Sequence, residues 1–221
     1  MKFGALILDF DGLILDTESP IFEEWRATFR ARGHDLGLDV WQHALGTFGT
    51  YDPCAHLSKL TGEDFDHEAL RQEVRARNMV RCEALPLLPG VAERVQEARA
   101  SGLKTAVASS STSAWVEGWL ERHGIRPLFD TVCSRDHVAR VKPAPDLFLL
   151  AATRLGVAPE RCVVFEDSPN GIRAARAAGM RCVAIPNAVT CALPMEGADL
   201  VLTSLGERPL AGILGRLDRT S

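Results

Sequence analysis

The sequence predicts an α/β protein: a doubly wound parallel-sheet core with an inserted all-helical cap. Three observations predict it. Beyond Pro86 and Pro89, short apolar strands alternate with helices, which implies a parallel sheet with helices on both faces. A lone buried-strand pattern, Phe3 to Phe10, stands near the start. Between the two, over roughly residues 17–85, helical signals follow one another with no strand pattern.

In chain order, Phe3 to Phe10 is short, apolar and ends in Asp-Phe-Asp-Gly, and Gly12 permits a tight exit. From Pro20 to Arg32, Ile21, Phe22, Trp25 and Phe29 recur at helical spacing, with Gly33 as the stop. Further helical signals run through Asp39–Leu45, Asp52–Leu60 and Asp66–Ala84. The alternating part then reads as helix Val91–Ala100, strand Lys104–Ala108, helix Ser113–His123 and strand Thr131–Cys133. It continues with helix Asp146–Leu155, strand Cys162–Phe165 and helix Asn170–Ala178, and closes with strands Cys182–Ile185 and Leu200–Leu202. Residues 1–16 and 86–221 are thus expected to form the core and 17–85 the cap.

Composition narrows the function. The chain has 221 residues, 46% hydrophobic and 24% charged, which suits one domain with a modest insertion and excludes wholesale disorder. Twenty-five Lys and Arg stand against 29 Asp and Glu, a net charge of −4. That balance lacks the basic footprint of a nucleic-acid binder. The apolar run after Lys2 is too short for a signal-peptide core, and no uncharged stretch approaches the roughly 18 residues of a membrane span. Six cysteines contain no Cys-x-x-Cys pair, so reduced, mostly buried thiols in a cytoplasmic monomer are expected. The histidines have no metal-ligand spacing.

In doubly wound folds ligands bind at the carboxyl ends of the strands. There the sequence offers Asp9 and Asp11, Ser109 and Ser110, Lys142, and Glu166 and Asp167. Unit charges about 4 Å apart repel by about 4 kcal/mol at an effective dielectric near 20, so converging carboxylates need a cation. Oxygen ligands without a His/Cys set favour Mg²⁺, and Lys142 adds a second positive charge. The set suits phosphoryl transfer: one carboxylate can attack phosphorus, and a second, two residues on, can protonate the leaving group and then activate water.

The stretch Asp9-Phe-Asp11-Gly-Leu-Ile-Leu-Asp16-Thr17 resembles the first motif of the haloacid dehalogenase superfamily in its phosphatase branch. Ser109 after Val-Ala resembles the second motif, Lys142 in Lys-Pro-Ala-Pro-Asp the third, and Glu166-Asp167-Ser-Pro-Asn-Gly171 the fourth. Order and spacing agree across nearly the whole chain, and the helical insertion is most similar to the beta-phosphoglucomutase-like group, with its Rossmann-like core. The resemblance implies Asp9 as nucleophile, Asp11 as acid/base, Ser109 as a phosphoryl-oxygen ligand and Lys142 as the neutralising cation. It implies that Asp9, the Asp11 backbone carbonyl and Asp167 hold Mg²⁺, with Glu166 a lesser ligand. Backbone N–H groups of Phe10, Asp11 and Ser110 would complete the phosphate cradle. The expected activity is hydrolysis of a small phosphorylated metabolite.

Other residues receive plainer readings. Trp115 and Trp119, four apart, suit packing rather than a ligand platform. Arg71, Arg75, Arg77 and Arg81 suit a solvated face with Glu73 and Glu83. The loop Leu45–Tyr51, with Gly46 and Gly49, is either a substrate reader with Gly46 against the ligand or an ordinary helix connection. The rivals to a phosphatase are a phosphomutase, a dehalogenase and an aspartate-phosphorylated regulatory module. Asp11 counts against the dehalogenase and the large cap against the module. The resembling mutases carry a cap-loop arginine and a histidine on the first cap helix; here residues 46–51 hold no base and Ile21 stands at the helix position.

Overall fold

Six short strands form one all-parallel sheet in a computed structural model that describes residues 2–42 and 51–219. They are β1 (Ala5–Leu8), β2 (Lys104–Ala108), β3 (Thr131–Cys133), β4 (Cys162–Glu166), β5 (Arg181–Ala184) and β6 (Leu200–Val201), in the order β3-β2-β1-β4-β5-β6. Alternate residues of β1 explain its unbroken apolar run. Leu6 and Leu8 enter one core cluster, and Ala5 and Ile7 enter the other. A strand buried on both faces has no polar side to present.

The first face is covered by α5 (Val91–Ala100), α6 (Ser113–Arg122) and α9 (Leu210–Arg219), through Val95, Leu120 and Ile213 among others. The second is covered by α7 (Asp146–Leu155) and α8 (Pro169–Ala177), through Phe148 and Ile172. The doubly wound reading therefore holds. Helix α9 is absent from the sequence reading. Pro209, Gly212 and Gly215 dilute its signal, and only the contacts of Leu210, Ile213 and Leu217 with the sheet face reveal it. The six cysteines are free thiols, and five of them are buried.

Between β1 and β2 lie α1 (Glu18–Arg30), α2 (Leu38–Trp41), α3 (Pro53–Thr61) and α4 (His67–Cys82). Residues 43–45 of the expected second helix, and Gly46 with its loop up to residue 50, lie outside the described residues. The insertion buries a cluster of its own, including Phe22, Trp25, Phe29, Trp41 and Leu57, with Val189 of the core packed into it.

Helix α4 divides its arginines by periodicity, and the expectation of one solvated face holds only in part. Positions 77 and 81 share one stripe and meet Glu24 of α1: Arg77 Nε lies 2.7 Å from Glu24 Oε2, and Arg81 pairs with its other oxygen. Arg77 also keeps its pair with Glu73 at 2.5 Å. Arg71 pairs instead with Asp52 at 2.7 Å, and Arg75 faces a cavity described below. Glu24 is only 5% exposed. Burial alone would raise its pKa, but the two guanidinium groups outweigh that and hold it below its ordinary value. Its contribution to stability is therefore present above about pH 4.5 and is lost as pH falls below that value.

Arg77→Ala is expected to cost about 1–3 kcal/mol at pH 7, because it leaves a buried carboxylate half-paired. Calorimetric melting should show a lower midpoint for the variant at pH 7 and convergence with wild type at acid pH. A midpoint unchanged at pH 7 would refute the pairing as a stabilising contact.

Candidate active site

The strand order reverses direction between β1 and β4, so the crevice past their carboxyl ends is the switch point of the sheet. Asp9 follows β1 and its N–H donates to the Phe165 carbonyl of β4 at 3.0 Å. That bond brings Asp9 beside Glu166 and Asp167, and carboxylate oxygens of the three lie within 4.8 Å of one another. Gly12 makes the crowding possible. Its φ is +78°, and a Cβ there would lie 2.4 Å from Asp167 Oδ2.

Lys142, on the loop before α7, enters this acid cluster. Its Nζ lies 2.5 Å from Asp9 Oδ1 and 2.7 Å from Glu166 Oε1, with the side chain 4% exposed. Burial alone would lower the lysine pKa, but the two carboxylates outweigh it and raise it. Asp9 is pushed up to about 7, first by burial, with Glu166 and Asp11 adding to the rise and Lys142 opposing it. Asp167 is raised as well, by burial and then by Glu166, Asp9 and Glu18. One ammonium thus leaves three buried acids short of positive charge. That deficit, with oxygen donors alone, fits a hard divalent cation such as Mg²⁺.

The acids do not fit it equally. Glu166 Oε1 faces Lys142, and Oε2 accepts from the Ser168 N–H at 2.9 Å and its hydroxyl at 3.0 Å. With both oxygens engaged, Glu166 balances Lys142. Asp167 Oδ2 instead accepts from Asn187 Nδ2 at 2.7 Å, and the same amide reaches the Gly12 carbonyl at 3.2 Å. Asn187, beyond β5, escapes sequence reasoning because it belongs to none of the motifs.

The Asp11 carboxylate turns away from the acid cluster, contrary to the expectation that four acids converge. It accepts from Thr17 Oγ1 and Trp115 Nε1, each at 2.8 Å, from Ser111 Oγ at 2.6 Å and from Ser109 Oγ at 3.3 Å. Trp115 therefore lines the site, where a packing role was expected. It does stack edge-on against Trp119, centroids 5.6 Å apart, but it lies one turn nearer the strand ends. Among the described residues, the backbone N–H groups of Phe10, Asp11 and Ser110 have no hydrogen-bond partner, and Ser110 Oγ is buried without one. The Phe10 side chain itself is fully buried in the core.

Asp9, Asp11, Ser109, Ser110, Trp115, Lys142, Glu166 and Asp167 line one side of a cavity of about 610 Å³. The helical insertion lines the other with Glu18, Ile21, Tyr51, Arg75, Asn78 and Met79. Arg75 has no ion-pair partner among the described residues. Glu18 carries no motif signal, yet its pKa is pushed up to about 8 by burial and by Asp11, Asp9 and Asp16.

Between about pH 4.5 and 8 the folded chain holds a proton on Glu18 that the unfolded chain has lost, so stability falls as pH rises through that window. In the presence of a chelator, the wild-type melting point should drop from pH 5 to pH 8.5. Glu18→Gln should flatten that drop, and identical slopes for the two proteins would refute the shift.

Comparison with known proteins agrees with this geometry. The model of the haloacid dehalogenase-like hydrolases matches residues 3–179. The candidate phosphatase YhcW of Bacillus subtilis (strain 168) is 44% identical over 214 residues, 97% of each chain. Fructose-1-phosphate phosphatase YqaB of Escherichia coli (strain K12) is 39% identical over 186 residues, 82% of this chain and 96% of that one. The solved structure of a candidate beta-phosphoglucomutase from Thermotoga maritima matches with a TM-score of 0.77 at 28% identity, covering 96% of this chain and 99% of that one. Likeness of this extent, over a sheet whose switch point gathers Asp9, Lys142 and Asp167, makes the chain an enzyme of the haloacid dehalogenase-like hydrolases, in their phosphatase branch.

Proposed function

We propose that the chain is a Mg²⁺-dependent phosphatase of small phosphorylated sugars that works through an aspartyl-phosphate on Asp9. The observation that carries this reading is the Asp9 carboxylate, held by Lys142 beside Asp167 and open to a cavity rimmed by unpaired N–H groups. Asp9, Asp167 and the backbone carbonyl of Asp11 would hold the metal. When bound there, Mg²⁺ supplies the positive charge that lets an anionic phosphoryl group approach a carboxylate.

In the first half-reaction a carboxylate oxygen of Asp9 attacks phosphorus and the ester P–O bond breaks. Asp11 passes a proton to the departing oxygen, and the phosphoryl group stays on Asp9 as an acyl-phosphate. Lys142, Ser109 and the N–H groups of Phe10, Asp11 and Ser110 take up charge on the phosphoryl oxygens. In the second half-reaction Asp11 takes a proton from water as that water attacks phosphorus. The phosphate leaves and the Asp9 carboxylate returns. Residues 1–16 and 86–221 form the catalytic core in this reading. Residues 17–85 form a cap that shields the acyl-phosphate from bulk water, and the sugar meets Glu18, Tyr51, Arg75 and Asn78. YqaB, by its name a fructose-1-phosphate phosphatase, supports a sugar phosphate as substrate.

One observation favours a second reading, a phosphomutase. Arg75 puts an unpaired guanidinium in the cavity opposite the acids, where it could grip a distal phosphate. Ile21 and the absence of a base in residues 46–51 argue the other way.

Asp9→Asn should lower turnover of every phosphomonoester by at least roughly a hundredfold, because an amide cannot form the acyl-phosphate. Chelation should abolish wild-type activity and Mg²⁺ restore it; full activity in chelator would sink the metal's role. Incubation with hexose 1-phosphates separates the two readings. Phosphate release with little hexose 6-phosphate is expected, whereas isomerisation that outruns release and collapses in Arg75→Ala would establish the mutase.

A further inference from the structure

We propose that Trp115 is a positioning residue for Asp11 and that its indole N–H assigns the transferable proton to one oxygen, Oδ2. The proposal rests on the reading of Asp11 as the acid that serves the leaving group. A carboxylate offers about four lone-pair sites, and the four donors around Asp11 match that number. Trp115 Nε1 and Thr17 Oγ1 take Oδ1, while Ser111 and Ser109 hydroxyls take Oδ2.

The two oxygens are not equivalent, because an indole N–H can only donate whereas a hydroxyl can also accept. With Trp115 on Oδ1 at 2.8 Å, a proton on that oxygen would face another donor. On Oδ2 the proton faces hydroxyls, which can turn to accept it. The weakest of the four contacts is also on Oδ2: Ser109 Oγ at 3.3 Å. Ser109 is the hydroxyl assigned to a phosphoryl oxygen, so an arriving phosphate draws it off and clears Oδ2 for the leaving group. The proton then passes from Oδ2 to the departing oxygen as the P–O bond breaks, and Oδ2 later recovers one from the attacking water.

The two anchors on Oδ1 stand on different elements. Thr17 belongs to the same loop as Asp11, just before α1. Trp115 stands on α6, packed against the sheet, and its ring is braced edge-on by Trp119. A braced ring holds its N–H in place with little rotamer freedom left to lose. Trp115 is therefore the fixed reference against which the Asp11 carboxylate is aimed.

Trp115→Phe keeps an aromatic ring and removes the N–H. Its kcat should be compared with that of wild type on an alkyl ester, fructose 1-phosphate, and on an aryl ester, 4-nitrophenyl phosphate, whose leaving group needs little protonation. The alkyl-to-aryl ratio of kcat is expected to fall about tenfold or more, a part of the 10²–10⁴ that proton transfer supplies, with KM for the alkyl ester within about twofold of wild type. Equal losses on both esters, a loss confined to KM, or no loss would each overturn the role. If the Phe variant fails to fold, Trp115→Leu is read by the same criterion. Asp11→Asn run beside it separates the two levels. If Asp11→Asn shows no ester dependence, the reading of Asp11 as the acid falls and takes the Trp115 proposal with it. If Asp11→Asn shows the dependence and Trp115→Phe does not, the Trp115 proposal alone falls.

Discussion

Everything in the crevice depends on one buried ammonium. Lys142 stands between Asp9 and Glu166, each contact at hydrogen-bond distance and the side chain 4% exposed. Removing two such charges from water costs several kcal/mol per ion, and only close geometry with further hydrogen bonds offsets that cost. The structure meets both conditions. Glu166 also accepts two hydrogen bonds from Ser168, and Gly171 leaves room for it, since a Cβ at 171 would lie 1.8 Å from its carboxyl carbon. The ammonium rests 4.9 Å from the centroid of Phe148, on the helix that follows it. Three chain segments, from β1, from β4 and from the loop before α7, are thereby tied at one point.

The balance of charge at that point underlies the proposed reaction. A single cation cannot satisfy three buried carboxylates, and the surplus appears as raised proton affinity at Asp9 and Asp167. Asp9, Asp167 and the Asp11 backbone carbonyl would hold a divalent ion there, whose charge would offset that surplus in the proposed reaction. The opposite side of the cavity holds a different set of groups. Glu18, Arg75 and Asn78 lie beside Ile21 and Met79, a mixture of charged, polar and apolar groups that the proposed sugar would meet. That side belongs to a separately packed helical unit, joined to the core by Val189 in its hydrophobic cluster and by the Gln42 bond to the Val189 carbonyl at 3.0 Å.

Legibility in the sequence followed how local each signal was. Strands β2 and β3 and helices α5 and α7 have the boundaries read from pattern alone, because double-sided burial leaves short apolar runs ended by turn residues. Asp9, Asp11 and Asp167 were legible because each lies in a motif at or just past a strand end, and Lys142 because its loop carries the Lys-Pro-Ala-Pro-Asp motif. Trp115, Glu18 and Asn187 were not, since each reaches the site from an element whose orientation only packing decides. The α4 arginines show the same limit. One helix carries Arg77 to a buried glutamate and Arg75 to a cavity, and composition cannot tell the two stripes apart. Helix α9 was missed for want of a clean periodic run.

Asp9 and Asp11 show how identical side chains two residues apart come to differ. Phe10, between them, is fully buried, and its carbonyl accepts the N–H groups of Ile14 at 2.9 Å and of Leu13 at 3.3 Å, closing a tight loop. With that anchor fixed, the two carboxylates leave in different directions. Asp9 meets a cation and two other acids, a place whose excess of negative charge a metal would have to offset for Asp9 to act as the proposed nucleophile. Asp11 meets only neutral donors, three hydroxyls and an indole. Neutral donors hold a carboxyl group in place without setting a formal charge beside it. A nucleophile needs its charge retained through the approach to phosphorus, and a proton shuttle must pass through both charge states in one turnover. In the proposed reaction, with Asp9 as nucleophile and Asp11 as proton shuttle, the division of partners around the Phe10 anchor serves both needs within a three-residue segment.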